Sequence, residues 1–324
     1  MIARSLDVDG DRRRLARAGV NAIRAARPPA LLSALLIALG PAAHAACVIE
    51  RRGEVVPDLS RGVPVVAAAA DGVEAPFILD TGAARSVLTE TAVRQVGAAL
   101  DEWAAMTMRG VGGLVRHRVA RLRTLTLGGA PLHRRSAAND MSMAVVPELP
   151  SGGGPPVSGL LGADYLESYD LAWESGGGRL GLYRVGGCSG RFLPWTEPYD
   201  VLAAEPAPAG WLIVPASVGG RPLRALIDTG AAQSVLTRSG AVRLHVPSGA
   251  AGPPLDGIGP HPVGAEPRPF AALRIGTETI ASARLLVAAD LVITGVDLVL
   301  GADLLFGRRV WLSYATAQVF LGRP

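Results

Sequence analysis

Two acidic residues stand out by their settings. Asp80 lies in "FILDTGAARSVLT" (77–89) and Asp228 in "ALIDTGAAQSVLT" (225–237). In each phrase three apolar residues lead into the carboxylate, the pattern of a strand buried on both faces, so the Asp emerges at a partly dry place. Thr-Gly then supplies a tight turn, because Gly tolerates backbone angles other residues avoid. One Asp before Thr-Gly is an ordinary turn residue. Two in equivalent repeats can face each other across a pseudo-twofold axis. Carboxylates about 3 Å apart cannot both ionise, so they share a proton and their pKa values split. Such a pair offers one acid and one base around a single water. It can attack an amide carbonyl without a metal, a cofactor or a covalent intermediate.

The elements that must position the pair are themselves duplicated. "RGVGG" (109–113) is answered by "DGIGP" (256–260), and "GLLGADYLESY" (159–169) by "LVLGADLLFG" (298–307). Each half closes with a Trp-bearing strand and a last hairpin strand, over 171–184 and 310–322. Four landmarks in one order mark an internal duplication. The alternation between them reads as antiparallel β throughout. Hairpins are expected about Asp71-Gly72 and Gly219-Gly220, with short helices over 89–96, 163–168 and 302–306. A Pro/Gly-rich insertion over 146–159 sets the first half apart, and a Pro-, Gly- and Ala-rich connector over 186–209 lies between the halves.

The chain has 324 residues, 49% of them apolar, with 40 Gly and 25 Pro. All 32 basic residues are Arg, and the net charge is +4. Residues 1–45 hold seven Arg and three Asp, which leaves 25 basic and 25 acidic residues in the body. A neutral body gives no argument for nucleic-acid binding. The first 45 residues read as an export signal: a basic stretch to Arg27, the apolar run "ALLSALLIALG" (30–40), then Ala43 and Ala45 before a mature start at Ala46. An uncleaved membrane anchor is the alternative, although the run is short for a span. The domains expected are thus a signal (1–45), an N-terminal lobe (46–190) and a C-terminal lobe (191–324), in a periplasmic or secreted protein. Cys47 and Cys188 suit an oxidising compartment. A disulfide between them would be worth on the order of 4–5 kcal/mol, and two free thiols are the alternative. Residues 46–61 can be a pro-segment or a first strand.

"ILDTGA" and "LIDTGA", each followed by "LLG" or "VLG", resemble the pepsin and retroviral aspartic proteases, most closely the retropepsin-like branch with Ala after Asp-Thr-Gly. The resemblance covers about 62–324. It implies an all-β, double-lobed acid-protease β-barrel fold with a pseudo-twofold repeat, working as a monomeric pseudodimer on a peptide or protein substrate. By position it implies catalytic Asp80 and Asp228, with Thr81 and Thr229 cross-linking the lobes and Gly82 and Gly230 shaping the turns. It also implies flap tips at Gly110, Gly112 and Gly113 and at Gly257 and Gly259. Two departures matter. Retroviral enzymes are homodimers, whereas here both halves share one chain. Pepsin-like enzymes usually carry Ser or Thr after Asp-Thr-Gly and a flap Tyr, whereas here Ala83 and Ala231 hold that position and neither flap segment has a Tyr. The lost hydroxyls would have stabilised ionised carboxylates, so a less acid optimum than pepsin's is expected.

Other residues read more plainly. Asp164 and Asp303, repeated in "LGAD", are expected to cap short helices. Ser86 and Ser234 repeat without a repeating His, which argues against a hydrolytic triad. His117, His133, His245 and His261 are scattered, with no metal-site spacing. "GVGG" lacks the Lys of a phosphate loop. Arg116, Arg118, Arg121 and Arg123 read as the solvated side of a flap strand, or alternatively as a preference for acidic substrate side chains. The rival to an endopeptidase is a peptide-binding or scaffold protein that kept the fold and lost turnover.

Overall fold

Each half begins as a tight hairpin. The computed structural model describes residues 46–135, 140–149, 154–174, 178–207, 210–247, 252–255, 257–259 and 261–324. The expected export signal therefore lies outside the described residues, as do 150–153 of the insertion and 256 and 260 of the second Gly-rich segment. Val65–Ala70 and Val73–Leu79 pair antiparallel about Asp71 (φ 48°) and Gly72 (φ 84°). Leu212–Val218 and Arg221–Ile227 repeat this about Gly219 (φ 56°) and Gly220 (φ 80°). Two consecutive positive φ values match the right-handed twist of the flanking strands.

The second strand of each hairpin delivers its Asp. The hydrophobic-Gly phrase then returns parallel to it: Gly159–Leu161 aligns Leu161 with Leu79, and Leu298–Leu300 aligns Leu300 with Ile227. On its other side runs the short strand after each Asp loop, Val87–Thr89 or Val235–Leu236, antiparallel. These apolar segments are buried on both faces. Among the described residues the first half builds a nine-stranded sheet and the second a seven-stranded one, in which Leu212–Val218 also pairs with Glu266–Ile275.

A third sheet joins the halves. Its order is Val48–Val55, Leu180–Gly186, Asp170–Trp173, Val310–Ser313, Gln318–Gly322 and Tyr199–Ala203. The halves meet at its centre, where Leu171 opposes Leu312 and Ala172 opposes Trp311. Asp170 reinforces the seam by accepting from Trp311 Nε1 and the Ala315 amide, both at 3.0 Å. An apolar core beneath the Asp loops draws Phe77, Leu79, Tyr165 and Trp173 from one half and Ile227, Leu300 and Leu312 from the other.

Several details differ from the sequence reading. The stretch expected as a connector contributes the edge strand Tyr199–Ala203, the counterpart of Val48–Val55 at the opposite edge. The region left open as pro-segment or strand holds that Val48–Val55 strand. Glu90–Val96, Ala163–Leu166 and Ala302–Leu305 are helical, and so is Arg238–Leu244, which was not expected. It starts at Thr237, as Glu90–Val96 starts at Thr89, each cap Oγ1 accepting a backbone N–H three residues on.

Cys47 and Cys188 are bonded, with Cα atoms 4.4 Å apart across a sequence separation of 141 residues. The bond fastens Val48–Val55 beside Leu180–Gly186, and a loop that long loses much denatured-state entropy when closed. The double variant Cys47→Ser/Cys188→Ser should lose about 2–5 kcal/mol of stability in urea unfolding.

Candidate active site

The two Asp-Thr-Gly loops meet head to head. The carboxyls of Asp80 and Asp228 lie within hydrogen-bonding reach of each other. Asp80 Oδ1 accepts from the amides of Gly82 at 2.9 Å and Ala83 at 2.8 Å. Asp228 Oδ1 accepts from Gly230 at 2.9 Å and Ala231 at 3.1 Å. The approach is close enough to exclude side chains: a Cβ on Gly82 would stand 2.2 Å from Cγ of Asp228, and one on Gly230 would stand 2.3 Å from Cγ of Asp80. Burial raises both carboxyls above the ordinary value of 3.8, and the neighbouring Asp228 charge raises Asp80 further. The amide donors oppose that rise. Both carboxyls thus keep their protons to a higher pH than free carboxylates do.

Beneath the carboxyls the two Thr residues grip each other's strands. The Thr81 amide donates to Thr229 Oγ1 at 3.1 Å, while Thr81 Oγ1 donates to the Ile227 carbonyl at 2.8 Å. The mirror bonds run from the Thr229 amide to Thr81 Oγ1 at 3.1 Å and from Thr229 Oγ1 to the Leu79 carbonyl at 2.7 Å. Both side chains are buried, so all four bonds are shielded from water and hold the loops in register.

The repeated "LGAD" acids have a different place from the one expected. Gly162 and Gly301 occupy the helix N-caps, and neither helix has a side-chain cap. Asp164 Oδ1 instead accepts from the Ser86 amide at 3.0 Å and Ser86 Oγ at 2.7 Å, and Ser86 Oγ accepts from the Gly162 amide at 2.8 Å. In the second half Ser234 donates to Asp303 at 3.1 and 2.7 Å and accepts from Gly301 at 3.0 Å. Short carboxylates at the second helical position reach sideways instead of capping, and here they lace the Gly phrase to the Asp loop. The repetition of Ser and Asp in step was the available signal for this pairing. The lacing is unequal. Asp164 is buried, with Arg85 and Arg134 nitrogens 3.9 and 4.0 Å from its Oδ2, whereas Asp303 is exposed. Burial pushes the Asp164 carboxyl up to about 6, against the pull of Ser86 and Arg134.

The Gly-rich segments meet each other. Gly110 and Gly113 close the hairpin of Ala99–Gly110 and Gly113–Arg121. Among the described residues of the second segment, a bridge joins Pro254 to Gly264 behind Gly257 and Gly259. The Gly112 amide donates to the Ile258 carbonyl at 3.3 Å. The tips also exchange side chains. Ile258 packs on the first-half layer of Val87, Ala144, Val146 and Leu160, and Val111 on the second-half layer of Ile213, Leu226, Val235 and Val299. Ala83 and Ala231 belong to these layers, so each apolar wall begins next to a carboxyl. Arg116, Arg118, Arg121 and Arg123 point to solvent, and Arg118 and Arg121 pair with Glu90 and Asp101.

Two duplicated lobes, a joining sheet and paired Asp-Thr-Gly loops define the architecture of a pepsin-like acid protease. The aspartyl protease family model matches residues 66–165 and 214–304, covering both repeats and more than half of the chain, and the chain belongs to that family. Its fold is similar to the crystal structure of the aspartic proteinase from Irpex lacteus, with a TM-score of 0.51, 12% identity, and coverage of 85% of this chain and 97% of that one. No curated protein matches the sequence.

A raised carboxyl is a stability statement. The stability associated with protonated Asp164 is fully present below the unfolded value near 3.8 and is lost as pH rises through about 6. Asp164→Asn cannot ionise and keeps an acceptor for Ser86. It should stabilise the chain at pH 7.5 by on the order of 2–3 kcal/mol and have little effect at pH 3.5, as urea unfolding at the two pH values will show.

Proposed function

We propose that this protein is an aspartic endopeptidase whose Asp80–Asp228 pair activates a water against a peptide bond. The observation that carries this reading is the pair of carboxyls within hydrogen-bonding reach, one from each repeat, beside apolar layers that include Ala83 and Ala231. The ionised member takes a proton from the water as its oxygen bonds to the carbonyl carbon, and the protonated member gives its proton to the carbonyl oxygen. The tetrahedral diol then collapses: the newly protonated carboxyl gives its proton to the amide nitrogen, the C–N bond breaks, and a diol hydroxyl passes its proton to the other carboxylate, so the pair again holds one. The apolar walls exclude bulk water, which strengthens these transfers. Both halves share one chain, so the active form is a monomeric pseudodimer acting on a peptide or protein.

Asp80→Asn and Asp228→Asn should each lower cleavage of casein by at least about a thousandfold while leaving circular dichroism unchanged. Cleavage unaffected by both substitutions would reject the peptidase in favour of a peptide-binding scaffold. Activity needs the singly protonated pair, so it should fall on both sides of an optimum at roughly pH 4–6.5. A peak near pH 2 would contradict that. Export is part of the proposal, since a disulfide such as Cys47–Cys188 persists in oxidising compartments. N-terminal sequencing of periplasmic or secreted material should begin at Ala46, and a retained Met1 in that material would overturn cleavage.

A further inference from the structure

The first-half apolar wall contains one polar atom that nothing above uses. His117 lies on Gly113–Arg121 and is 7% exposed. Its Nε2 is buried and has no hydrogen-bond partner among the described residues. Across the hairpin His117 stands opposite Met106, and Val119 stands opposite Ala144. Residues directly opposite in antiparallel strands share a face, so the imidazole shares the face of Met106, Val119 and Ala144. Met106 and Ala144 belong to the wall that also includes Ala83 and receives Ile258 from the opposite flap. Ala83 donates its amide to Asp80 at 2.8 Å. The orphan nitrogen therefore belongs to the wall that starts at the carboxyl pair.

The duplication supplies an internal comparison. The offset of 148 residues that relates Thr81 to Thr229 carries His117 to Ala265, which is buried in the corresponding wall of the second half. That position is apolar in one lobe and an imidazole in the other. A buried polar atom without a partner is a standing free-energy cost, removed when a partner arrives. A bound side chain can bring one if it has an apolar stem to lie along Val87, Val146 and Leu160 and an acceptor at its end.

We propose that His117 is a specificity-determining residue: when a substrate displaces Ile258 from the first-half wall, His117 Nε2 donates a hydrogen bond to a Glu or Gln side chain bound there. This rests on the peptidase reading and adds the substrate class for one lobe. Aliphatic side chains of similar length, Leu and Met, fill the same wall and leave the nitrogen orphaned, so they bind less well.

The test is cleavage-site profiling of a proteome-derived peptide library by mass spectrometry, with wild type, His117→Leu and His117→Gln. Wild type should favour Glu or Gln over Leu and Met by about five- to tenfold at one position within three residues of the cut. His117→Leu should abolish or invert that preference, and His117→Gln, which keeps a donor, should retain part of it. A wild-type profile without the preference, or an unchanged profile in His117→Leu, overturns the assignment. If His117→Leu fails to fold, the wild-type profile and His117→Gln decide. Absence of any cleavage lost in Asp80→Asn would instead reject the peptidase reading. In that case calorimetry with statine peptides bearing Gln or Leu at those positions decides on His117: tighter binding of the Gln peptides to wild type but not to His117→Leu supports it, and equal affinities or no binding overturn it.

Discussion

The close approach of the Asp80 and Asp228 carboxyls is the constraint around which the two loops are built. Left alone, the Asp80 and Asp228 carboxylates would push the lobes apart, and a loop of ordinary stiffness would yield. Here each loop is tied to the other lobe by the reciprocal Thr81 and Thr229 bonds and to its own lobe by the Ser–Asp lacing of the Gly phrase. Holding both loops in place favours protonation as the way to relieve that repulsion. Much of the architecture serves that confinement. The parallel strand pairs aim the loops, the six-stranded sheet fixes one lobe against the other, and glycine beside each carboxyl permits the approach.

The halves are similar without being equal, and the inequalities lie where chemistry and recognition meet. One lacing acid is buried beside two guanidinium groups while its counterpart is exposed. One Gly-rich segment tips a long regular hairpin, whereas near the other an isolated bridge joins Pro254 to Gly264 among the described residues. One apolar wall holds an imidazole where the other holds an alanine. A homodimer cannot differ in these ways, because one sequence builds both of its halves. Fusion of the repeats lets the two walls differ in sequence.

The duplicated motifs made the fold class and the carboxyl pair legible, because two Asp-Thr-Gly phrases in step make sense only together. The first hairpins were legible from their turn residues. What stayed hidden was contact between distant repeats. Ser86 and Asp164 each repeat visibly, yet only the fold brings them to 2.7 Å, and Asp at a helix start looks like a cap until Gly162 is seen in that place. The helix Arg238–Leu244 carries Gly240, which weakens any helical signal. A Cβ there would stand 2.0 Å from the Asp297 carbonyl oxygen, so close packing overrode propensity. His117 looked like one of several scattered histidines, since a strand of alternating Arg hides which face is buried until its partners are known.

The proposed mechanism requires a single proton confined between two particular side chains. Nuclear magnetic resonance titration of carboxyl-13C-labelled aspartate, assigned through Asp80→Asn and Asp228→Asn, addresses it most directly. The account predicts two coupled steps sensed by both carboxyls, separated by more than about one pH unit, with the upper step well above the ordinary carboxylate range. Two independent titrations, both near the ordinary carboxylate value, would contradict it.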